Sequence, residues 1–356
     1  MKIAIVGAGL SGLSCAFELK KHGIKPIIFE KRTSIGDGLD YSIAILRMFT
    51  DFTGSPKGYF KKNYGLNIVP LKVLRESIMI GPSKRTLVRG KLGYTFKRGP
   101  EPHSIENQIA RQVNLPIVFD THINFDDIKN DFDYIVWASG INKLSRRLNI
   151  WTSAFNTQIR ISTVLGDFKN NSATMWLNKE YARNGYGYLL PYSKKNATLT
   201  LIVNNISPKE LNYHWKKFLL KENFQYKILE TRDVEYCTGF VHPMQLDNIY
   251  FVGNAAGLTE SCLGCGAVNA IRSGITAGRC IAKNLNYTKL MESTGDLIRS
   301  NHELRRFLNT LENKDFDRLI TFLRLPIVKQ LIYNNPFYKS VHGAHIIKHY
   351  NNFIDN

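Results

Sequence analysis

Residues 2–30 read KIAIVGAGLSGLSCAFELKKHGIKPIIFE: an apolar run, a glycine turn, an amphipathic stretch closed by Gly23, a second apolar run and a terminal acid. Gly7, Gly9 and Gly12 supply GxGxxG directly after the first run, which predicts a strand–turn–helix–strand unit of the dinucleotide-binding type. Gly7 permits the tight turn, Gly9 lets the backbone approach a pyrophosphate, and Gly12 lets helix and strand pack closely. The helix N-terminus then offers N–H groups and a positive dipole end to the phosphates. Glu30, 18 residues after Gly12, stands where a carboxylate accepts from a ribose hydroxyl. The expected contacts are Gly7, Ala8, Gly9, Leu10, Ser11, Gly12, Glu30 and Lys31. A carboxylate at this place repels a 2′-phosphate and argues against NADP here.

The 356 residues exceed one ordinary domain, so this unit needs a companion. No segment approaches the ~20 uninterrupted apolar residues of a membrane span, and residues 1–7 run straight into the first strand, leaving no room for a leader. Five cysteines, Cys15, Cys237, Cys262, Cys265 and Cys280, are too few and too clustered for a secreted disulfide framework. The expectation is a cytoplasmic protein. A net charge of +19 favours anionic surfaces. Peripheral contact with the inner face of an anionic membrane is the first reading and nucleic acid is not expected; scattered solvated lysines account for the charge equally well.

Ser77 to Arg98 reads as three short β runs, and Ser104 caps a helix through Val113. Pro116–Asp120 and Tyr134–Ala138 read as buried strands. Arg160–Ile206 is β-rich, a helix follows over Pro208–Phe224, and a strand pair extends through Phe240. Beyond Gly266 the pattern is helical, broken at Pro326 and Pro336. The predicted class is α/β: a doubly wound, Rossmann-like domain from residues 1–70, 99–158 and 245–286, an antiparallel substrate domain from 71–98 and 159–244, and a helical region over 287–356.

Asn248–Gly257 reads NIYFVGNAAG, and LTESCLGCGAVNAIRSGITAG then opens a small-residue helix. With the first turn, this order resembles the FAD-dependent geranylgeranyl reductases within the p-hydroxybenzoate hydroxylase-like superfamily, whose second motif is GDAAG followed by GxGxxxA. Gly253, Ala255, Ala256, Gly264, Gly266 and Ala270 match, while Asn254 replaces the acid. Asp133–Ile150, DYIVWASGINKLSRRLNI, is similar to the middle motif, with Gly140, Ser145, Arg146 and Arg147 fitting and Ser139 in place of an Asp. Gly185–Pro191, GYGYLLP, resembles the YxWxFP element, with Tyr186 and Pro191 retained and Tyr188 and Leu190 substituted. An ordinary aromatic strand produces the same alternation.

The resemblance implies bound FAD, with Arg47, Ala138, Gly140, Gly253, Asn254, Gly264, Cys265, Gly266 and Ala267 joining the first turn as cofactor contacts, and Tyr186, Tyr188 and Pro191 lining a prenyl site. The implied activity is saturation of double bonds in an apolar isoprenoid or lipid by hydride from reduced flavin. Electrons would come from NAD(P)H or from a small carrier protein such as ferredoxin, since one dinucleotide fingerprint is present. An aromatic monooxygenase, and a non-redox or degenerate flavin-binding protein, are the alternatives. Tyr186, Tyr188, Cys262 and Cys265 are the catalytic candidates; CLGC at a helix N-terminus suggests lowered thiol pKa values and a redox pair. A single CxxC completes no metal site, so no metal is expected. His242 and His345 have no partner at ligand spacing and read as structural.

Overall fold

The structure, a computed structural model, describes residues 1–49 and 54–329. His345, Pro336 and the remainder of the region 330–356 lie outside the described residues. Strands β1 (Ile3–Val6) and β2 (Ile27–Phe29), joined by the helix Leu10–Lys21, begin one sheet. A second begins with β3 (Tyr41–Leu46), β4 (Lys72–Ile80) and β5 (Arg85–Arg98). The chain returns to the first sheet as β6 (Ile117–Val118) and β7 (Tyr134–Trp137). It then completes the second with β8 (Trp151–Leu165), β9 (Ser172–Trp176), β10 (Tyr186–Pro191), β11 (Asn196–Asn204) and β12 (Lys227–Val241). Finally β13 (Gln245–Leu246) and β14 (Ile249–Phe251) close the first sheet.

The first sheet runs β13-β14-β7-β1-β2-β6 and is parallel except for β13. Strand β1 sits at its centre, and Ile3, Ala4, Ile5 and the whole of β14 are buried. The chain passes from β1 to β2 and later β6 on one side, then crosses from β6 to β7 on the other side of β1, which opens a crevice beyond the carboxyl end of β1. Gly7 lies in that crevice.

The second sheet runs β12-β8-β11-β10-β9-β4-β5-β3, antiparallel except where β4 meets β9. Although β3 and β12 are its two edges, the Ser42 N–H donates to Thr198 Oγ1 of β11 at 3.1 Å, and Arg232 of β12 lies 5.9 Å from the Tyr41 ring. The sheet is therefore curled, with its concave face turned to the crevice. This differs from the sequence division in two places. β3 belongs to the second sheet although it falls within residues 1–70, and β8 starts at Trp151 rather than near Arg160. The two runs after Pro82 fuse through Gly90 into the single strand β5, and the supposed strand pair through Phe240 is one 15-residue strand, β12, paired along β8. Local turn residues suggested breaks that cross-strand pairing overrides.

The helix Ala267–Lys283 crosses Leu10–Lys21 at glycines. A Cβ on Gly274 would lie 2.1 Å from the Ser11 carbonyl oxygen, and one on Gly278 would lie 2.8 Å from that of Cys15. Beside this contact Glu18, 2% exposed, meets Lys21 at 2.9 Å and Arg279 at 3.1 Å, tying the two helices electrostatically. The helix Tyr287–Thr310 is anchored by the Tyr287 hydroxyl on the Phe251 carbonyl at 2.8 Å, and Asn313–Arg324 packs Ile320 against Leu74, Met79, Val88 and Leu92 of the β4–β5 hairpin. Among the described residues, no helix is long and apolar enough to cross a membrane.

Burial opposes ionisation of Glu18, but hydrogen bonds and charge from Lys21 and Arg279 hold its carboxyl below the usual range. A depressed folded-state pKa gives stability that is present above the unfolded value, near 4.3, and lost as pH falls through the folded value. Glu18→Gln should thus cost about 1–3 kcal/mol at neutral pH by chemical denaturation. The deficit should shrink to nothing in acid, where the wild-type carboxyl is itself protonated.

Candidate flavin site

Strand β1 delivers Gly7 at φ +111°, a conformation that side chains resist. A Cβ there would also lie 2.5 Å from the Ala138 carbonyl oxygen at the end of β7. Gly12 is required for packing, since its Cβ would fall 1.9 Å from the Gly7 carbonyl oxygen. Gly9 differs from both. Its backbone is extended and a Cβ built on it meets no protein atom within 4 Å. The protein itself gives no reason for glycine at this position; a ligand at the turn does. No side chain caps the helix that Gly9 opens, so the first N–H groups remain for that ligand. Glu30 holds the turn from the next strand: Oε2 accepts from the Ala8 N–H at 2.8 Å and Oε1 from the Arg32 N–H at 3.1 Å.

The second turn follows β14. Gly253 adopts φ +61°, its N–H donates to Ser273 Oγ at 3.0 Å, and a Cβ on it would lie 2.7 Å from Ser11 Oγ, so the two turns touch. Asn254 Oδ1 accepts from Thr259 Oγ1 at 2.5 Å, leaving the amide nitrogen as its donor. Gly264, at φ +72° with open space where a Cβ would be, precedes Gly266, the N-cap of Ala267–Lys283.

A cavity of about 970 Å³ joins these turns to the concave face of the second sheet. It brings together Gly7, Ala8, Gly9, Leu10, Ser11, Glu30, Lys31, Ala138, Gly140, Asn254, Gly264, Cys265, Gly266 and Ala267, along with Tyr186 and Tyr188. Opposite the turns the wall is mainly apolar, with Ile43, Ile45, Ile159, Ile161, Met175 and Leu190. Four expected residues stand outside the lining. Gly12 and Gly253 are packing contacts, Pro191 is buried in β10 behind Leu190, and Arg47 lies just past the lining residue Leu46, in the short 3₁₀ turn after β3. The match of Arg47 is one of sequence position alone.

The cysteine expectation is corrected. The helix begins at Ala267, so Cys262 and Cys265 lie in the preceding loop, coiled around the buried carboxylate of Glu260. That carboxylate accepts from the N–H groups of Cys262 at 2.7 Å, Leu263 at 2.9 Å and Cys265 at 2.8 Å. Burial and the facing Glu260 push both thiols well above the ordinary range, the opposite of activation, and both are free. Burial likewise raises Glu260. Two further side chains secure the loop: the Tyr186 hydroxyl donates to the Leu263 carbonyl at 2.5 Å, and Arg305 Nη1 donates to the Cys262 carbonyl at 3.3 Å. Burial pushes the Tyr186 hydroxyl up as well, so its proton stays on that bond. Sequence reasoning missed Glu260, Arg305 and Arg232, which line the cavity, because isolated charges carry no spacing signal. Among the described residues no cluster could hold a metal ion.

The glycine turns and this cavity form a dinucleotide-type site on a Rossmann-like domain. In sequence and in fold the chain is similar to geranylgeranyl reductases. Residues 5–65 match the NAD(P)-binding Rossmann-like domain family. The digeranylgeranylglycerophospholipid reductase of Methanocella arvoryzae is 23% identical over 227 residues, so the chain spans about half of that relative, 56% of each being covered. Digeranylgeranylglycerophospholipid reductase 3 of Methanosphaera stadtmanae is 22% identical with 90% of each chain covered. Among solved structures, a geranylgeranyl bacteriochlorophyll reductase-like protein from Thermoplasma acidophilum superposes with a TM-score of 0.73 at 15% identity, covering 97% of this chain and 98% of that one.

Two outcomes follow from the geometry. Gly9→Val should leave the cofactor-free protein within about 1 kcal/mol of wild type, yet abolish retention of flavin absorbance through gel filtration. Gly12→Val should instead lower folding stability by more than about 3 kcal/mol by denaturant titration. Second, native protein treated with iodoacetamide at mildly alkaline pH should show little alkylation of Cys262 and Cys265 by peptide mass spectrometry, whereas the unfolded chain alkylates at both.

Proposed function

We propose that this protein uses FAD to saturate carbon–carbon double bonds of an isoprenoid lipid. The observation that carries the proposal is the single cavity: glycine turns and free N–H groups on one side, a broad apolar sheet face on the other. The relatives named above are reductases of prenyl compounds, which agrees with that partition. When bound, FAD supplies the hydride; the chain supplies position and an apolar surface for the substrate.

The N–H groups at Leu10 and Ser11 would hold the pyrophosphate, Glu30 the adenosine ribose hydroxyls, and Asn254 a hydroxyl of the ribityl chain. The loop Glu260–Gly266, clamped by Tyr186 and Arg305, would present its backbone to the ring system without needing to reorganise. An alkene has no strong polar handle, so affinity comes from burying the chain against Ile159, Ile161, Met175 and Leu190 at about 0.8 kcal/mol per CH₂. Completing saturation needs a proton as well as a hydride. Tyr186 is a poor source, since its hydroxyl is committed to Leu263, and water reaching the cavity provides that proton. NAD(P)H or a small reduced carrier protein regenerates the flavin. The exposed side chains of Phe322, Leu325 and Ile327, on a chain of net charge +19, support peripheral contact with anionic phospholipid, where such substrates reside.

The test is anaerobic incubation of purified, flavin-loaded protein with a C20 prenyl lipid and dithionite, NADPH or NADH as reductant, read by mass spectrometry. The expected product carries two additional hydrogens for each reduced bond. A reaction that runs only with oxygen and inserts an oxygen atom would assign the protein to the monooxygenases; an unchanged substrate beside fully reduced flavin would end the reductase reading.

A further inference from the structure

The concave wall contains one residue whose chemistry does not match its surroundings. Arg232 of β12 pairs in register with Ile161 of β8 and lines the cavity with its strand neighbours Val234 and Tyr236. Asp233, next in the chain, cannot neutralise it, because Asp233 faces the other way and binds Arg160 at 2.7 Å. The ring of Tyr41, brought over by the curl of the sheet, is flanked by two guanidiniums: Arg98 at 5.7 Å and Arg232 at 5.9 Å. Arg98 is paired with the buried carboxylate of Glu106. Arg232 has no ion pair among the described residues, and its Nε is buried without a hydrogen-bond partner. Of the two guanidiniums beside the Tyr41 ring, only that of Arg98 is matched by a carboxylate in an ion pair. A charge held against apolar side chains without a partner is costly, and a guanidinium fork fits a planar or tetrahedral oxyanion.

We propose that Arg232, with Tyr41 and Arg98 behind it, binds an oxyanion headgroup, a phosphate ester or a carboxylate, at one end of the lipid whose chain lies along the apolar wall. The inference rests on the prenyl reading above and extends it from the chain to its terminus. The headgroup then fixes which double bond reaches the reaction zone, because the distance along the chain is counted from Arg232.

Binding of three probes to the flavin-loaded protein tests it: a C20 prenyl monophosphate, the corresponding prenyl carboxylate and the prenyl alcohol, each titrated by perturbation of the flavin absorption spectrum. Wild type should bind at least one anion about tenfold or more tighter than the alcohol, and the tighter anion identifies the headgroup. Arg232→Gln should erase that preference while alcohol affinity, flavin content and melting temperature stay unchanged; Arg232→Lys should restore part of it. Equal affinity of wild type for anion and alcohol overturns the proposal, as does a preference that survives Arg232→Gln. Loss of flavin in Arg232→Gln with the preference intact would also overturn it, by assigning the guanidinium to the cofactor. If wild type binds none of the three, the prenyl reading itself fails and the headgroup site falls with it, a result distinct from equal binding.

Discussion

The glycine contact between Leu10–Lys21 and Ala267–Lys283 is the constraint on which the site depends. Each helix begins at a glycine turn, and each turn faces the cavity only because the helices lie close enough for Gly274 to rest on the Ser11 carbonyl and Gly278 on that of Cys15. Any side chain at these points would hold the axes apart, and the second turn would leave the first. Gly253 against Ser11 Oγ repeats the same close fit at the turns themselves. Glu18 adds a directional tie, since a buried carboxylate facing Arg279 of the other helix strongly disfavours sliding or separation.

Much of the architecture was legible because it is written in local periodicity. Apolar runs bounded by Gly7 and Glu30 yield β1, the helix and β2; Ser104 does cap Ile105–Val113, accepting from the Asn107 N–H. The convergence of the glycine turns was legible from the order of motifs. What escaped depended on contacts distant in sequence. Tyr41–Leu46 follows the first unit directly, yet pairs with β5 and so belongs to the second sheet. Residues 227–241 contain turn-prone and charged positions, but a full-length partner in β8 keeps them in one strand. The thiols of Cys262 and Cys265 were misread because spacing locates a cysteine and says nothing of the charge facing it; a carboxylate two residues earlier reverses the inference.

The loop Glu260–Gly266 shows how a short irregular segment becomes rigid in the absence of regular structure. Its N–H groups converge on Glu260, its carbonyls are taken by Tyr186 from the second sheet and Arg305 from the helix Tyr287–Thr310, and its neighbour Thr259 is bonded to Asn254. Three separate parts of the chain thus meet at one loop. Small side chains at 262, 264, 265 and 266 leave its backbone open to the cavity, so its shape is set from behind.

The placement of β14 and Ala267–Lys283 late in the chain bears on synthesis. β1 is translated before its neighbours but needs β7 on one flank, and β7 in turn needs β14, which is translated more than two hundred residues after β1. The β4–β5 hairpin waits over a similar span, since Asp317 holds Ser83 and Lys84 from 234 and 233 residues away. A nascent chain therefore exposes the apolar flanks of its founding βαβ unit throughout elongation. Protection of those flanks before release is a demand that the topology places on the cell.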